Sequence, residues 1–277
     1  MTWTVLGGHG YIGSRVVDQL HGSGAEVWVP ERNDPDLHGR DLGSVIYAAG
    51  LTADFRTRKL ETIEAHVTQF ADLLERADFD SVLYLSSTRV YNGSDTARET
   101  DAPTIQPADP DDLYNASKLL GEILAISSDR PTVRVARISN VVGPNGLESS
   151  SFLPAIIRQA LTGRVQLQSS PQSAKDYIHV DDVVRLLIEI ATHGSERLYN
   201  VAAGANVTHR RWLDAVGKEI SFDLGVAAGA PLMEFPVIDI HRIQNEFGFE
   251  PQSVFTVLRP LIADVRHQTR DAHDRTS

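Results

Sequence analysis

The stretch V-L-G-G-H-G-Y-I-G at residues 5–13 decides the fold. An apolar run containing Trp3, Val5 and Leu6 meets glycines at positions 7, 10 and 13. Ser14 to Ser23 then carries Val16, Val17 and Leu20 at helical spacing, and Gly22 and Gly24 close it. The pattern predicts strand, tight turn, helix. Glycines permit such a turn and let the backbone approach a phosphate closely. A helix N-terminus offers unpaired N–H groups and a partial positive charge, which suit a pyrophosphate. The spacing is G-x-x-G-x-x-G and not the commoner G-x-G-x-x-G, so the triplet needs partners elsewhere in the chain.

Composition narrows the classes. With 277 residues, 42% hydrophobic and 23% charged, the chain can bury the core of one large domain or of a domain with a smaller lobe. No run approaches the ~18–20 apolar residues of a membrane span. Met1-Thr2-Trp3 passes straight into the first strand and leaves no room for a cleavable signal. With no cysteine, disulfides, thiolate metal sites and a cysteine nucleophile are excluded. The expectation is a cytoplasmic protein without a metal site. A formal net charge of −11 argues against nucleic acid as a partner, yet leaves room for an anionic small molecule held by one helix terminus and a few placed cations. Arg266 to Ser277 is polar and reads as a frayed tail.

Further strands and helices alternate along the chain. Glu26 to Pro30 is a short strand, and Glu31 follows it about twenty residues after the glycines, where an acidic side chain accepts ribose hydroxyls. Arg32, next to it, suits a 2′-phosphate instead, and both residues also fit a plain polar strand exit. NAD and NADP both stay open, with Glu31 tilting toward NAD. Ser44 to Ala49 is a third strand, closed by Gly50, and Leu60 to Ala77 a long amphipathic helix. Ser81 to Leu85 runs into Ser86-Ser87-Thr88. Asp111 or Asp112 is placed to cap a helix from about Leu113 to Ile126, and Thr132 to Ile138 precedes Asn140. Strands alternating with helices predict a doubly wound, Rossmann-type parallel α/β sheet, with ligands at the carboxyl ends of its strands.

Tyr114-Asn115-Ala116-Ser117-Lys118 puts a phenol and an ammonium on one helix face. A fixed cation favours phenolate, so Tyr114 suits acid/base work nearer neutral pH than free tyrosine. Ser87, at the end of the preceding strand, is placed to polarise a carbonyl or alcohol. Alone, such a pair is as well explained by a solvated helix face.

It is not alone. The chain resembles the extended short-chain dehydrogenase/reductases, the NAD(P)-dependent nucleotide-sugar epimerases, dehydratases and reductases. The resemblance covers roughly residues 3 to 263. It rests on G-G-x-G-x-I-G at 7–13, Y-A-A-G at 47–50, L-S-S-T-R-V-Y at 85–91, Y-N-A-S-K at 114–118 and R-I-S-N-V-V-G-P at 137–144. K-D-Y-I-H-V-D-D-V at 175–183, Y-N-V-A at 199–202 and F-G-F-E-P at 247–251 follow in the family's order.

The resemblance implies residue roles. Gly7, Gly10 and Gly13 cradle the pyrophosphate, with Tyr11 and Ile12 at the helix start. Ala48, Ala49 and Gly50 line the nicotinamide ribose. Tyr114 is the acid/base, Lys118 lowers its pKa and holds the ribose, and Ser87 orients the reacting oxygen. Thr88 contacts the sugar, while Asn140 and Lys175 meet the substrate diphosphate, Lys175 without the bidentate fork of an arginine. The resemblance also implies a homodimer through Leu60–Ala77 and Leu113–Ile126. It divides the chain into a cofactor domain at 1–142 plus 177–203 and a substrate lobe at 143–176 plus 204–265. Asp181 and Asp182 are expected to cap the helix through Ala191, and His179 to be a packed strand residue.

The chain departs from the family in three places. Twelve residues separate Glu31 from Ser44, too few for the usual strand and helix, so the adenine side differs and Asp41-Leu42 stands as the remnant. His66 replaces the asparagine of the family's N-V-x-x-T. Ser87-Thr88-Arg89 lacks the adjacent Asp-Glu of the 4,6-dehydratases, which disfavours dehydration. The expected function is hydride transfer at a sugar carbon, usually C4, by an epimerase or a keto-sugar reductase. Two alternatives are a reductase of a non-sugar carbonyl and a cofactor-binding sensor without chemistry.

Overall fold

Strand β1 (Thr2–Leu6) ends at Gly7, whose φ of +77° turns the chain into helix α1 (Tyr11–Gly22), with Gly10 at its N-cap. A left-handed φ is costly for any residue with a Cβ. A Cβ at Gly7 would also lie 2.7 Å from the backbone of Ala48 and Ala49. Gly13 is needed for packing, because a Cβ there would stand 2.2 Å from the Gly7 carbonyl oxygen. The first stretch is thus strand, turn and helix as expected. The computed structural model describes residues 2–52, 54–144 and 151–274.

From this corner the chain builds a six-stranded parallel sheet in the order β2-β1-β3-β4-β5-β9. Its other strands are β2 (Glu26–Trp28), β3 (Ser44–Tyr47), β4 (Ser81–Ser87), β5 (Val133–Ile138) and β9 (Leu198–Val201). The order reverses at β1, between β2 and β3, and such a switch point opens a ligand crevice at the carboxyl ends of the strands. Side chains alternate across the sheet. Ile46, Leu83 and Ala136 pack toward Val16 and Leu20 of α1 and toward Val183, Leu187 and Ile190 of α6 (Val180–His193). Val45, Val82 and Val135 pack with Phe70 and Leu73 of α3 (Gln69–Arg76) and Ala125 of α4 (Asp112–Ser127). Each of the valine, leucine, isoleucine and phenylalanine side chains among them contributes roughly 1.5–3 kcal/mol on burial.

A third core belongs to the C-terminal lobe. Leu153 and Ile157 of α5 (Phe152–Leu161), Val165 of β7 (Arg164–Leu167) and Trp212 of α7 (His209–Gly217) meet Leu261 of α9 (Leu258–Asp274) there. Two small sheets border it. One orders β10 (Asn206–Thr208), β8 (Ala174–His179) and β6 (Asn140–Val142); the other pairs β11 (Asp223–Val226) with β7. The short elements β10, β11 and α8 (His241–Phe247) were not anticipated from sequence. Helix α9 runs to Asp274, into the stretch expected to fray from Arg266; residues 275–277 lie outside the described ones, as do 145–150 at the start of the substrate-facing insertion.

Several local expectations are corrected. The expected helix at 60–77 is present as one helical run, but it is not α-helical throughout: α2 (Lys59–Ile63) passes through a π-turn at Glu64–Thr68 into α3. Asp111 occupies the N-cap of α4 without a side-chain capping bond, because both its oxygens accept from Arg56 at 2.6 Å. Asp112 instead accepts from the Gln106 N–H and the Asn115 amide. Neither Asp181 nor Asp182 caps α6. His179 does, its Nδ1 accepting from the Asp181 N–H, while Asp182 accepts both N–H groups of Gln252 and ties the lobe to the sheet. Asp41-Leu42 lies at the amino end of β3, away from the ligand crevice. There Asp41 forms a lone bridge with Asp78, and the Leu42 carbonyl accepts from Thr4.

Candidate active site

The parallel register aligns the strand ends. Leu6 pairs with Tyr47, Tyr47 with Tyr84, and Ser87 with Ile138. The glycine turn, Ala48 to Gly50, Ser87 and Asn140 therefore leave the sheet on the same side, as expected of a doubly wound fold. Tyr11 and Ile12 begin α1 above the turn.

Helix α4 crosses β4 and brings its Tyr-Lys face to this end. Tyr114 is 5% exposed and Lys118 6%. The Lys118 ammonium donates to the Leu85 carbonyl at 2.9 Å and lies 6.0 Å from the Tyr114 ring centre. Burial lowers the Lys118 pKa from 10.5 to about 7, and Glu122 acts weakly the other way. A Cβ at Gly50 would come within 3.4 Å of the Lys118 nitrogen, so the cation lies beside the end of the shelf after β3. Ser87 ends β4, and its hydroxyl accepts from the Arg89 N–H at 3.2 Å, at the head of a 3₁₀ turn over Thr88–Tyr91. Thr88 is buried in that turn.

Two further side chains frame Tyr114, neither of them marked out as a site residue by the sequence motifs. The Phe55 ring lies 5.3 Å away, and the Arg89 guanidinium 5.5 Å over the phenol ring. The only prior signal for Arg89 was its place two residues after Ser87. His66 stands edge-on to Tyr114 at 5.5 Å.

Asn140 and Lys175 come together on the small sheet. Asn140 pairs with Tyr177 on β8 and donates to the Asp176 carbonyl at 2.7 Å, and Lys175 lies two residues before Tyr177 on that strand. Burial lowers the Lys175 pKa, and the nearby positive charge of Arg89 does so further. Among the described residues no carboxylate lies within ion-pair distance of Lys175. His209, stacked on Phe152 at 4.2 Å, is pushed down to about 4 by burial and then by Lys175.

The adenosine end is polar and open. Glu31 faces His9 at 3.5 Å, and Arg32 reaches Glu61 and Glu64 at 3.5 Å each, all on exposed side chains. The expected acidic partner for a ribose and the expected cation for a 2′-phosphate are thus both present, each with a loose partner of its own. Among the described residues no cluster of His, Asp or Glu suits a metal ion, and no helix is long and apolar enough to cross a membrane.

A glycine corner at a switch point and a Tyr-Lys helix face at the same end of the sheet fit a dinucleotide: Gly7 makes the turn at a φ of +77°, and Gly7 and Gly13 let the turn, the start of α1 and the Ala48-Ala49 backbone pack closer than any Cβ would allow. This is the architecture of a dinucleotide-dependent short-chain dehydrogenase/reductase. The chain belongs to the NAD dependent epimerase/dehydratase family, whose profile matches residues 3–202.

Among curated relatives, a dTDP-4-dehydro-6-deoxy-D-allose reductase of Streptomyces bikiniensis is 27% identical, over 97% of both chains. A dTDP-glucose 4,6-dehydratase of Streptomyces griseus is 29% identical, over 67% of this chain and 58% of its own length. The solved structure of MoeE5 in complex with UDP-glucose and NAD superposes with a TM-score of 0.80 at 23% identity, covering 97% of this chain and 100% of that one. RMD from Pseudomonas aeruginosa complexed with NADPH gives 0.78 at 21% identity, covering 96% and 99%. The solved structures carry the fold; the cofactor class follows from the family, with NAD and NADP both represented among the neighbours.

Proposed function

We propose that the chain is an NAD(P)-dependent oxidoreductase acting at a carbon, C4 by family likeness, of a nucleotide-diphosphate sugar. The observation that carries this reading is the burial of Tyr114 and Lys118 against the carboxyl end of β4, where the Lys118 ammonium donates to the carbonyl of Leu85, two residues before Ser87. When bound, the nicotinamide supplies or accepts the hydride. Tyr114 then gives or takes the proton of the reacting oxygen, and Ser87 orients that oxygen by a hydrogen bond. Lys118 places a positive charge beside the phenol and favours its ionised form. Gly7, Gly10 and Gly13 with the Tyr11-Ile12 helix start hold the pyrophosphate, and Ala48 to Gly50 receive the nicotinamide ribose. Thr88 faces the sugar. Lys175 and Asn140 meet the substrate diphosphate, a role suited to a cation with no carboxylate at ion-pair distance among the described residues.

The reductase outcome is the better supported. The relatives that align over nearly the whole chain bear that name, in Streptomyces bikiniensis and again at 26% identity in a Streptomyces species. Elimination of water needs a further acid and base beside the reacting serine or threonine, and here Thr88 and Arg89 stand there. A homodimer is part of the proposal. Leu60, Leu120, Ile123 and Ile126 expose apolar side chains on α2 and α4, at 82%, 45%, 60% and 44%.

The test is turnover of a panel of 4-keto and 4-hydroxy nucleotide sugars with NAD(H) and NADP(H). Stoichiometric oxidation of reduced cofactor marks a reductase, and interconversion of two sugars without net cofactor use marks an epimerase. Tyr114→Phe is expected to lower kcat by roughly 10²–10⁴-fold with cofactor affinity retained. Unchanged turnover in that variant would refute the acid/base assignment.

A further inference from the structure

The π-turn at Glu64–Thr68 is held from three sides. A π-turn takes carbonyl groups out of the regular i→i−4 ladder, and they need other donors. The Ala65 carbonyl accepts from the Tyr47 hydroxyl at 2.7 Å, and the His66 carbonyl from the Tyr84 hydroxyl at 3.0 Å. These tyrosines are register partners on β3 and β4, with rings stacked at 5.8 Å. Helix α4 closes over them at Gly121, where a Cβ would lie 2.3 Å from the Tyr84 hydroxyl and 2.9 Å from the His66 carbonyl oxygen. The wide turn is therefore built in, and it delivers the His66 side chain, 0% exposed, to the cofactor shelf.

The hydrogen bonds fix the state of that imidazole. The Ser117 hydroxyl donates to the Tyr114 carbonyl at 2.8 Å, so its oxygen is left to accept from His66 Nδ1 at 2.9 Å. On the other side the Leu51 N–H points at Nε2 at 3.3 Å, which must accept. One proton, on Nδ1, satisfies both contacts; a second on Nε2 would face the Leu51 N–H. Burial and the neighbouring Lys118 ammonium both oppose protonation, holding the His66 pKa down to about 2. The ring also abuts Gly50, where a Cβ would stand 2.7 Å from Nε2.

We propose that His66 is a positioning residue of the reaction: through its two ring nitrogens it ties the Gly50-Leu51 shelf to Ser117 on the Tyr114–Lys118 helix and so sets the gap that receives the nicotinamide ribose. This rests on the cofactor site proposed above. Asparagine, with a shorter side chain and a single amide, cannot reproduce a rigid ring that meets Leu51, Ser117 and Tyr114 together. The role belongs to this chain's own histidine.

His66→Phe keeps the ring and removes both nitrogens, leaving the part-buried Leu51 N–H without its acceptor. The titratable and charged groups around the ring are Lys118, Tyr114, Tyr47 and Tyr84. Two readouts decide the matter. In ¹⁵N-histidine-labelled protein, the His66 Nδ1 signal is expected at a protonated position and Nε2 at an unprotonated one, both unmoved between about pH 5.5 and about pH 8.5. In cofactor titrations and steady-state kinetics, His66→Phe is expected to raise the dinucleotide Kd and KM roughly tenfold and to lower kcat as well, with the far-UV spectrum kept.

If His66→Phe does not fold, Ser117→Ala, which cuts one end of the tie, is expected to raise the same Kd roughly threefold. Wild-type Kd, KM and kcat in a folded His66→Phe, or an unchanged Kd in Ser117→Ala, would reduce His66 to a packing residue. An imidazole that titrates in this range would overturn the tie itself. These outcomes are distinct from failure of the cofactor reading, which would show as no binding of NAD(H) or NADP(H) by the wild-type chain, whereas the nitrogen shifts need no cofactor.

Discussion

Replacing Lys118 with methionine tests whether the cation beside Tyr114 is held against its own desolvation. The ammonium is buried, donates to a single carbonyl and has its pKa lowered from 10.5 to about 7. In the unfolded chain it keeps its proton up to its ordinary range. Between about pH 7 and about pH 10 the unfolded state thus binds more protons than the folded one. Wild-type stability accordingly rises with pH across that window, and the cost of the buried charge is full below it. At about 1.4 kcal/mol per tenfold change in proton affinity, the ceiling on this contribution is about 5 kcal/mol. Lys118→Met removes the titration and keeps most of the packing volume. Urea unfolding of both proteins without cofactor, at about pH 6, 7.5 and 9, reads the difference directly, because all other ionisable groups are shared. The variant is expected to be the more stable at about pH 6, with its advantage shrinking steadily toward pH 9. A stability difference that stays constant with pH would show that Lys118 is not held at a lowered pKa and would refute the desolvation reasoning.

Two further outcomes follow from the same geometry. Gly13→Ala forces a methyl to within 2.2 Å of the Gly7 carbonyl oxygen; it is expected to lower stability by about 1–3 kcal/mol and to weaken dinucleotide binding, measured by thermal melting and calorimetric titration. Arg137→Leu strands the buried Glu122 carboxylate, which it grips through Nε and Nη2 at 2.6–3.1 Å; urea unfolding is expected to show a loss of about 3–5 kcal/mol.

What the sequence made legible was local. Gly7, Gly10 and Gly13, and Tyr114 with Lys118, are spaced by a turn and by one helical period, so their partners lie within a few residues in the chain. The short span between Glu31 and Ser44 announced a missing strand, and the sheet runs β2-β1-β3 with only a 3₁₀ turn at Pro35–His38 between β2 and β3. The features that escaped the reading depend on distant partners. Leu60 to Ala77 has the periodicity of an unbroken helix, and its π-turn appears only once Tyr47 and Tyr84 reach its carbonyl groups. Asp182 was read as a cap because it opens a helix, whereas Gln252, seventy positions on, claims it. Asp41-Leu42 looked like part of the adenosine pocket by position in the chain, but parallel strands place it at the opposite end of β3. Strand β11 and helix α8 are too short for their patterns to stand out.

The charges on α4 divide the labour of the helix. Glu122 follows Lys118 by four residues, the spacing at which a carboxylate ordinarily neutralises an ammonium. Here both Glu122 oxygens are engaged elsewhere: Oε1 accepts from Ser86 and from Arg137 Nε, and Oε2 from Arg137 Nε and Nη2. Arg137 in turn donates to Tyr91 at 2.6 Å, which donates to Asn200 at 2.9 Å, so the network spans β4, α4, β5 and β9. A buried pair of this kind adds little net stability over an apolar equivalent, but it fixes the elements it joins in one register. Its further effect is on Lys118. With Glu122 committed to Arg137, Lys118 donates, among the described residues, to one backbone carbonyl, and its charge lies beside Tyr114. The same glutamate that locks the sheet to the helix thereby leaves the reactive cation unneutralised. The low pKa of Lys118 comes from its burial, which Glu122 offsets only in part, and substitutions in the Arg137 network are expected to be felt at Tyr114 without touching it.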